Sequence, residues 1–117
     1  MPHPLDDPGL EVTTEHTEQE LAAGRAQVID VRELYEREAG HVSGTRHIEL
    51  ERLASQATTI DRDRPVIFQC RLGSRSLMAA QAFRRAGFDA YSMAGGLERW
   101  AGEGRALEPT DGHVADH

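Results

Sequence analysis

The chain holds a single cysteine, Cys70, which opens the segment Cys70-Arg71-Leu72-Gly73-Ser74-Arg75-Ser76. The apolar run Pro65–Gln69 leads into it and reads as a buried strand; Leu77–Ala86 leads away and reads as a helix. A thiol in a strand-to-helix loop meets the free N–H groups of the helix's first turn, and these, with nearby arginines, favour a thiolate nucleophile. Gly73 admits backbone angles that other residues resist. Ser74 is placed to cap the helix and to face a bound anion. Arg71 and Arg75 bring charge and paired donors suited to an oxyanion. The set points to sulfur attacking an anionic substrate. The plainer reading of a lone cysteine is a buried, inert strand residue. The loop, Gly73 and both arginines together favour the reactive one.

Two anion chemistries share this layout. Cysteine phosphatases carry five residues between Cys and Arg, so that the backbone wraps a tetrahedral phosphate. Here four residues separate Cys70 from Arg75, and Ser76 stands at the phosphatase position. A shorter loop makes a tighter cradle and favours a smaller reacting atom, such as sulfur carried on the thiolate. A phosphatase or arsenate reductase using the same thiolate is one alternative. A non-catalytic binding or regulatory module is the other.

The elements that must position this loop follow from the rest of the chain. Its 117 residues suit one ordinary domain, and 38% apolar with 28% charged residues suit a globular fold. Glu11-Val12-Thr13 reads as a first strand. Thr17 and Glu20 have capping-box spacing, which predicts a helix through Ala23 that stops at Gly24. Ala26–Val31 is apolar until Asp30, as in a parallel strand covered on both faces. Arg32–Glu38 reads as a charged, partly helical connector, Gly40–Gly44 as a turn and Thr45–Ile48 as a short strand. Leu50 and Leu53 have helical spacing. After the Cys70 loop, Ala79, Ala80, Phe83 and Ala86 form one helical stripe that Gly87 ends. Ala90–Met93 is a last strand, and Gly95-Gly96 turns into a last helix, Leu97–Ala101. Alternating strands and helices predict an α/β fold with a mainly parallel sheet. Sites in such folds gather at the carboxyl ends of strands, where Asp30 and Cys70 both fall.

A net charge of −7 argues against nucleic acid or an anionic membrane as a partner. No apolar run has the length of a membrane span. The N-terminus has neither a basic start nor an apolar core and is not read as a secretory signal. One unpaired cysteine suits a reducing, cytoplasmic setting. Residues 1–9 and 108–117 read as N-terminal and C-terminal tails around a domain at 10–107. His3, His16, His41, His47, His113 and His117 show no metal-ligand spacing, so no metal is expected. His41 reads as a turn residue that satisfies backbone groups, Trp100 as a core anchor and Gly95-Gly96 as a plain turn. Asp30 is expected to pair with Arg75 or to hydrogen-bond the loop, and Arg32 to pair with Glu36 or Glu38.

Four stretches resemble the rhodanese family of sulfurtransferases. Val28-Ile29-Asp30-Val31-Arg32 resembles its Asp-Val-Arg strand end. Gly40-His41-Val42-Ser43-Gly44 resembles its Gly-His-Ile-x-Gly-Ala segment, with Thr45 where Ala is usual and Glu49 where Pro is common. Cys70–Ser76 resembles its active-site loop, and Gly95-Gly96-Leu97-Glu98-Arg99-Trp100 its closing Gly-Gly-x-x-x-Trp motif. The resemblance covers residues 10–107 and implies a three-layer fold, with a mainly parallel sheet flanked by helices. It implies that Cys70 takes a sulfane sulfur from thiosulfate or a persulfide donor and passes it to a thiol or cyanide. That acceptor class extends to a thiol-bearing protein. Arg71, Leu72, Gly73, Ser74 and Arg75 would bind the donor, Asp30, Arg32 and Ser76 would support the loop, and no cofactor is implied.

Overall fold

A computed structural model describes residues 9–117. The N-terminal tail expected over residues 1–9 lies outside the described residues apart from Gly9. The strands are β1 (Glu11–Val12), β2 (Gln27–Asp30), β3 (Arg46–His47), β4 (Val66–Gln69) and β5 (Ala90–Met93). The helices are α1 (Thr14–Ala22), α2 (Leu34–Ala39), α3 (Leu53–Gln56), α4 (Ser74–Arg85) and α5 (Gly96–Gly102). Single 3-10 turns at Leu50–Arg52 and Ala57–Thr59 flank α3. The five strands form one parallel sheet in the order β1-β5-β4-β2-β3.

Strand β4 lies at the centre, and all four of its residues are buried. The two-residue period of a strand sends alternate side chains to opposite faces. Val66, Phe68 and Cys70 join Leu53, Ile60, Ala79, Ala80 and Phe83 in one core, while Ile67 joins Val28, Met93, Leu97 and Trp100 in a second. Helices cover both faces of the sheet, which gives three layers. On the first face, Phe68 meets Phe83 edge-on at 5.0 Å, and Phe83 meets Phe88 at 4.8 Å.

Several local expectations shift. Helix α1 starts one turn before the Thr17 cap expected from sequence. Thr13 leaves β1 in an extended conformation, and its side chain accepts the His16 N–H at 2.9 Å. Thr17 is buried inside α1 and donates its hydroxyl to the Thr13 carbonyl. The buried stripe of α4 runs Ser76, Ala79, Ala80, Phe83, and Ala86 is exposed beyond its end. Residues 108–117, expected as a tail, lie against the fold. Glu108 and His41 exchange backbone hydrogen bonds at 2.7 and 2.9 Å, and His113 N–H donates to the Ala39 carbonyl at 2.9 Å. Val114 packs on the second core.

Asp30 and Arg32 form a fully buried ion pair at the end of β2. Arg32 Nε and Nη2 donate to the two carboxylate oxygens at 2.9 and 2.8 Å, and Nη2 also donates to the Gly40 carbonyl at 2.8 Å. Arg37 Nη1 approaches the same carboxylate at 3.4 Å and ties it to Thr45. Arg32 thus pairs with Asp30, not with Glu36 or Glu38. Glu36 is taken by Arg75, and Glu38 is exposed. Asp30 in turn makes no bond to Arg75. Strand alternation puts it on the face of Val28, opposite the face that carries Cys70.

Breaking a buried pair strands a charge, whereas an exposed pair contributes little. Arg32→Met is therefore expected to lower stability by about 3–5 kcal/mol in urea unfolding. Arg25→Met, which breaks the exposed pair with Glu20, should cost under ~1 kcal/mol in the same measurement.

Candidate active site

Cys70 is fully buried immediately after β4, and α4 starts at Ser74. To make so short a turn, the chain passes through Gly73 with φ 109°, a left-handed conformation that favours glycine. Gly73, not Ser74, holds the N-cap position. Ser74 is already helical and exposed at the loop's outer edge. The turn folds the backbone over the sulfur. Gly73 N–H donates to Cys70 Sγ at 3.0 Å and Ser76 N–H at 3.4 Å, and the Ser76 hydroxyl oxygen lies 3.4 Å away. Amide donors around a buried sulfur stabilise negative charge on it.

Neither arginine touches the sulfur with a hydrogen bond. Arg75 makes a two-pronged pair with Glu36, Nη1 to Oε1 at 2.8 Å and Nη2 to Oε2 at 2.9 Å. Arg71 approaches Glu98 and Asp116, each at 3.2 Å. The positive loop expected from sequence is therefore largely compensated by carboxylates. The two pairs differ in strength. Glu36 is fully buried, while Glu98 and Asp116 are exposed and water-screened, so Arg71 is the arginine free to exchange its partner for an anion.

Burial alone pushes the Glu36 carboxyl up. The hydrogen bonds from Arg75 and from the Glu33 N–H, with the Arg75 charge, outweigh it and hold Glu36 below its ordinary value of 4.5. Glu36 thereby fastens α2 to α4 across the loop.

Gly95 and Gly96, expected as a plain turn, form the loop's base. Leu97 N–H donates to the Cys70 carbonyl at 2.9 Å and Glu98 N–H to the Arg71 carbonyl at 3.0 Å. A Cβ on Gly96 would stand 2.3 Å from the Arg71 carbonyl oxygen, and Gly96 has φ +61°. Two adjacent glycines right after an apolar strand are the sequence signal for such a close approach.

A small pocket of about 90 Å³ lies on the outer side of the loop and is lined by Arg71, Leu72, Ser74, Arg75 and His117; the buried Cys70 does not line it. Leu72 is exposed on its rim. His117 and Asp116 were not legible as site residues. Tyr35 holds them there by donating its hydroxyl to the Asp116 carbonyl at 3.1 Å. Asp30 and Arg32 lie behind the site and brace β2. The structure thus gathers Cys70, Arg71, Leu72, Gly73, Ser74, Arg75 and Ser76 in one loop and leaves Asp30 outside it. His41 is occupied structurally, with Nδ1 3.2 Å from the Arg37 carbonyl. Trp100 is buried and donates to the Ala106 carbonyl at 2.9 Å.

A buried, amide-ringed thiol between a central parallel strand and a helix defines an α/β protein with a cysteine-centred anion loop. The rhodanese-like domain family matches residues 13–103, and the chain belongs to that family. An uncharacterized Bacillus subtilis protein, YqhL, is 42% identical over 93 residues, covering 77% of this chain and 74% of its own. The thiosulfate sulfurtransferase GlpE of Pseudomonas aeruginosa is 37% identical over 94 residues, covering 80% and 82%. Among solved structures, the human single-domain sulfurtransferase TSTD1 superposes with a TM-score of 0.73 at 28% identity, covering 80% of this chain and 96% of its own. A rhodanese-related protein of Thermoplasma volcanium matches in fold with a TM-score of 0.77, 23% identity and coverages of 83% and 95%. At family level the chain is therefore sulfurtransferase-like. No helix among the described residues is long and apolar enough to cross a membrane.

Gly96→Ala should strain the backbone and push the loop off its base. The expected result is a stability loss of more than ~1 kcal/mol in urea, together with a changed rate of Cys70 alkylation by iodoacetamide. Glu36 gives a pH signature. Its folded carboxyl loses its proton more easily than the unfolded one, so between the two values the unfolded chain binds more protons and stability rises with pH. The contribution is complete above about 4.5 and fades as pH falls through the lowered folded value. The stability gap between wild type and Glu36→Gln, measured by urea unfolding from pH 7 to pH 3, should narrow toward the acid end.

Proposed function

We propose that the protein is a sulfurtransferase that carries a sulfane sulfur on Cys70. The observation that carries this reading is the sulfur's enclosure by the Gly73 and Ser76 amides in a loop with four residues between Cys70 and Arg75. The pocket beside the loop supports it too. Its small volume of about 90 Å³ and its lining by Arg71 and Arg75 suit a small anion such as thiosulfate rather than a bulky ester.

In the first half-reaction the Cys70 thiolate attacks the outer sulfur of thiosulfate. The bond between the two donor sulfurs breaks, its electron pair leaves with sulfite, and a Cys70 persulfide forms. A thiol or cyanide then takes the outer sulfur and restores the thiolate. This is covalent, two-stage catalysis. Arg71 binds the anionic part of the donor, displacing Asp116 and Glu98. Arg75 keeps its partner Glu36 and sets the loop's shape. Leu72, Gly73 and Ser74 complete the donor site, while Asp30, Arg32 and Ser76 support it. The acceptor class extends to a thiol-bearing protein, and a reducing compartment such as the cytoplasm suits the free thiol.

The test is intact mass after incubation with thiosulfate. Wild type should gain one sulfur atom, and Cys70→Ser none. Failure to gain sulfur from thiosulfate and from glutathione persulfide alike would sink the proposal. Arg71→Ala should weaken thiosulfate more than glutathione persulfide, by about 10-fold in kcat/KM, because a charge-assisted contact to the smaller dianion is lost.

A further inference from the structure

Two buried hydroxyls stand behind the sulfur. Ser76 on α4 and Ser92 on β5 are both fully buried, with their oxygens 2.8 Å apart. The Ser76 oxygen is also 3.1 Å from the Gly73 carbonyl oxygen and 3.4 Å from Cys70 Sγ. Each hydroxyl has one proton to give. Among the described hydrogen bonds, the Ser92 hydroxyl has Ser76 as its partner. If Ser76 donated to Ser92, the Ser92 proton would be buried without an acceptor, which native interiors avoid. Ser92 therefore donates to Ser76, and the Ser76 proton is left to choose between the Gly73 carbonyl and the sulfur.

We propose that this Ser92–Ser76 pair is a charge-following relay that stabilises Cys70 as the leaving group when its sulfur is passed on. The proposal rests on the sulfurtransferase reading above. While Sγ is bonded to a second sulfur and carries no full charge, the Ser76 proton lies on the Gly73 carbonyl. In discharge, an acceptor thiolate attacks the outer sulfur of the Cys70 persulfide. A new S–S bond forms and the Sγ–S bond breaks. The electron pair of that bond stays on Sγ, and the proton of the persulfide leaves with the transferred sulfur. The Ser76 hydroxyl then turns onto the new thiolate, with Ser92 still donating behind it. Water solvates this sulfur poorly, since Cys70 is fully buried. Neither arginine makes a hydrogen bond to Sγ, since Arg75 is held by Glu36 and Arg71 lies at the outer rim beside Glu98 and Asp116. Ser76 touches the reacting atom. Ser92 acts through Ser76 and is a positioning residue.

The two halves of the reaction should respond differently. A better-stabilised thiolate leaves faster. As an attacking group it is present in larger fraction but is intrinsically less nucleophilic, and these effects oppose each other. The experiment loads full-length protein with thiosulfate, removes the excess, mixes it with 2-mercaptoethanol and follows both stages by rapid quench and intact mass. Ser76→Ala and Ser92→Ala should discharge on the order of 10-fold more slowly, while persulfide formation stays within about 3-fold of wild type. Ser92→Thr and Ser92→Val match in volume and differ in the hydroxyl, so Thr should discharge faster than Val. Ser92→Ala, which removes a single oxygen, serves if the larger side chains do not fit.

Wild-type discharge rates in both alanine variants would overturn the relay and leave the sulfurtransferase reading standing. Equal rates for Thr and Val, or formation and discharge falling in parallel, would also overturn it. Wild type that takes up no sulfur would remove the sulfurtransferase reading and the relay with it.

Discussion

The arrangement hangs on one constraint, the enclosure of the Cys70 sulfur by backbone N–H groups. Sγ receives the amides of Gly73 and Ser76, and both can reach it because the chain turns from β4 into α4 within four residues. That turn needs the left-handed Gly73. It also needs a floor that lets the Cys70 and Arg71 carbonyls approach another backbone closely. Gly96 provides it, since any side chain there would collide with both carbonyls. The apolar burial of β4 on both faces then fixes where the sulfur sits. Phe68 and Phe83 anchor one side, and Ile67 and Trp100 lie in the core on the other.

Charge is organised around this loop by compensation. The protein is acidic overall, yet its two loop arginines do not stand as bare positive charges. Arg75 is fixed by the buried Glu36, which makes it part of the framework that joins α2 to α4. Arg71 faces exposed carboxylates in a screened setting, so an incoming anion can replace them at small cost. Asp30 and Arg32 perform a related task one strand away, where their buried pair pins the end of β2 to the Gly40 turn. The sulfur itself is met by dipoles, which are the Gly73 and Ser76 amides and a buried hydroxyl. Such donors can follow a charge that appears and disappears, because a hydroxyl can rotate while an ion pair held at both ends cannot.

The segment after Leu107 belongs to the same organisation. It pairs with His41, packs Val114 on the core and brings Asp116 and His117 to the outer side of the loop. Its contact with Tyr35 and Arg71 links the start of α2 to the rim of the loop. The pocket at the outer side of the loop is therefore bounded by parts of the chain far apart in sequence.

Much of this was legible in the sequence for local reasons. The apolar run before Cys70, the helical stripe after it and Gly73 between them were enough to specify strand, tight turn and helix. The count from Cys70 to Arg75 leaves four intervening residues, one fewer than a phosphatase loop carries. The alternation of elements gave a parallel sheet, and strand-end logic brought Asp30 and Cys70 to the same edge. What only the tertiary structure decided was partnership. Arg75 chose Glu36 over Asp30 because strand alternation turned Asp30 to the other face. Arg32 chose Asp30 because Glu36 was already engaged. Thr13 displaced Thr17 as the cap of α1 because the chain leaves β1 there. Ser92 carries no sign in sequence of its contact with Ser76, since it is one small polar residue in an apolar strand. It stands behind Ser76 only because β5 lies beside β4. Propensity and spacing act within a few residues, whereas ion pairs and buried hydroxyl contacts are settled by which strands become neighbours.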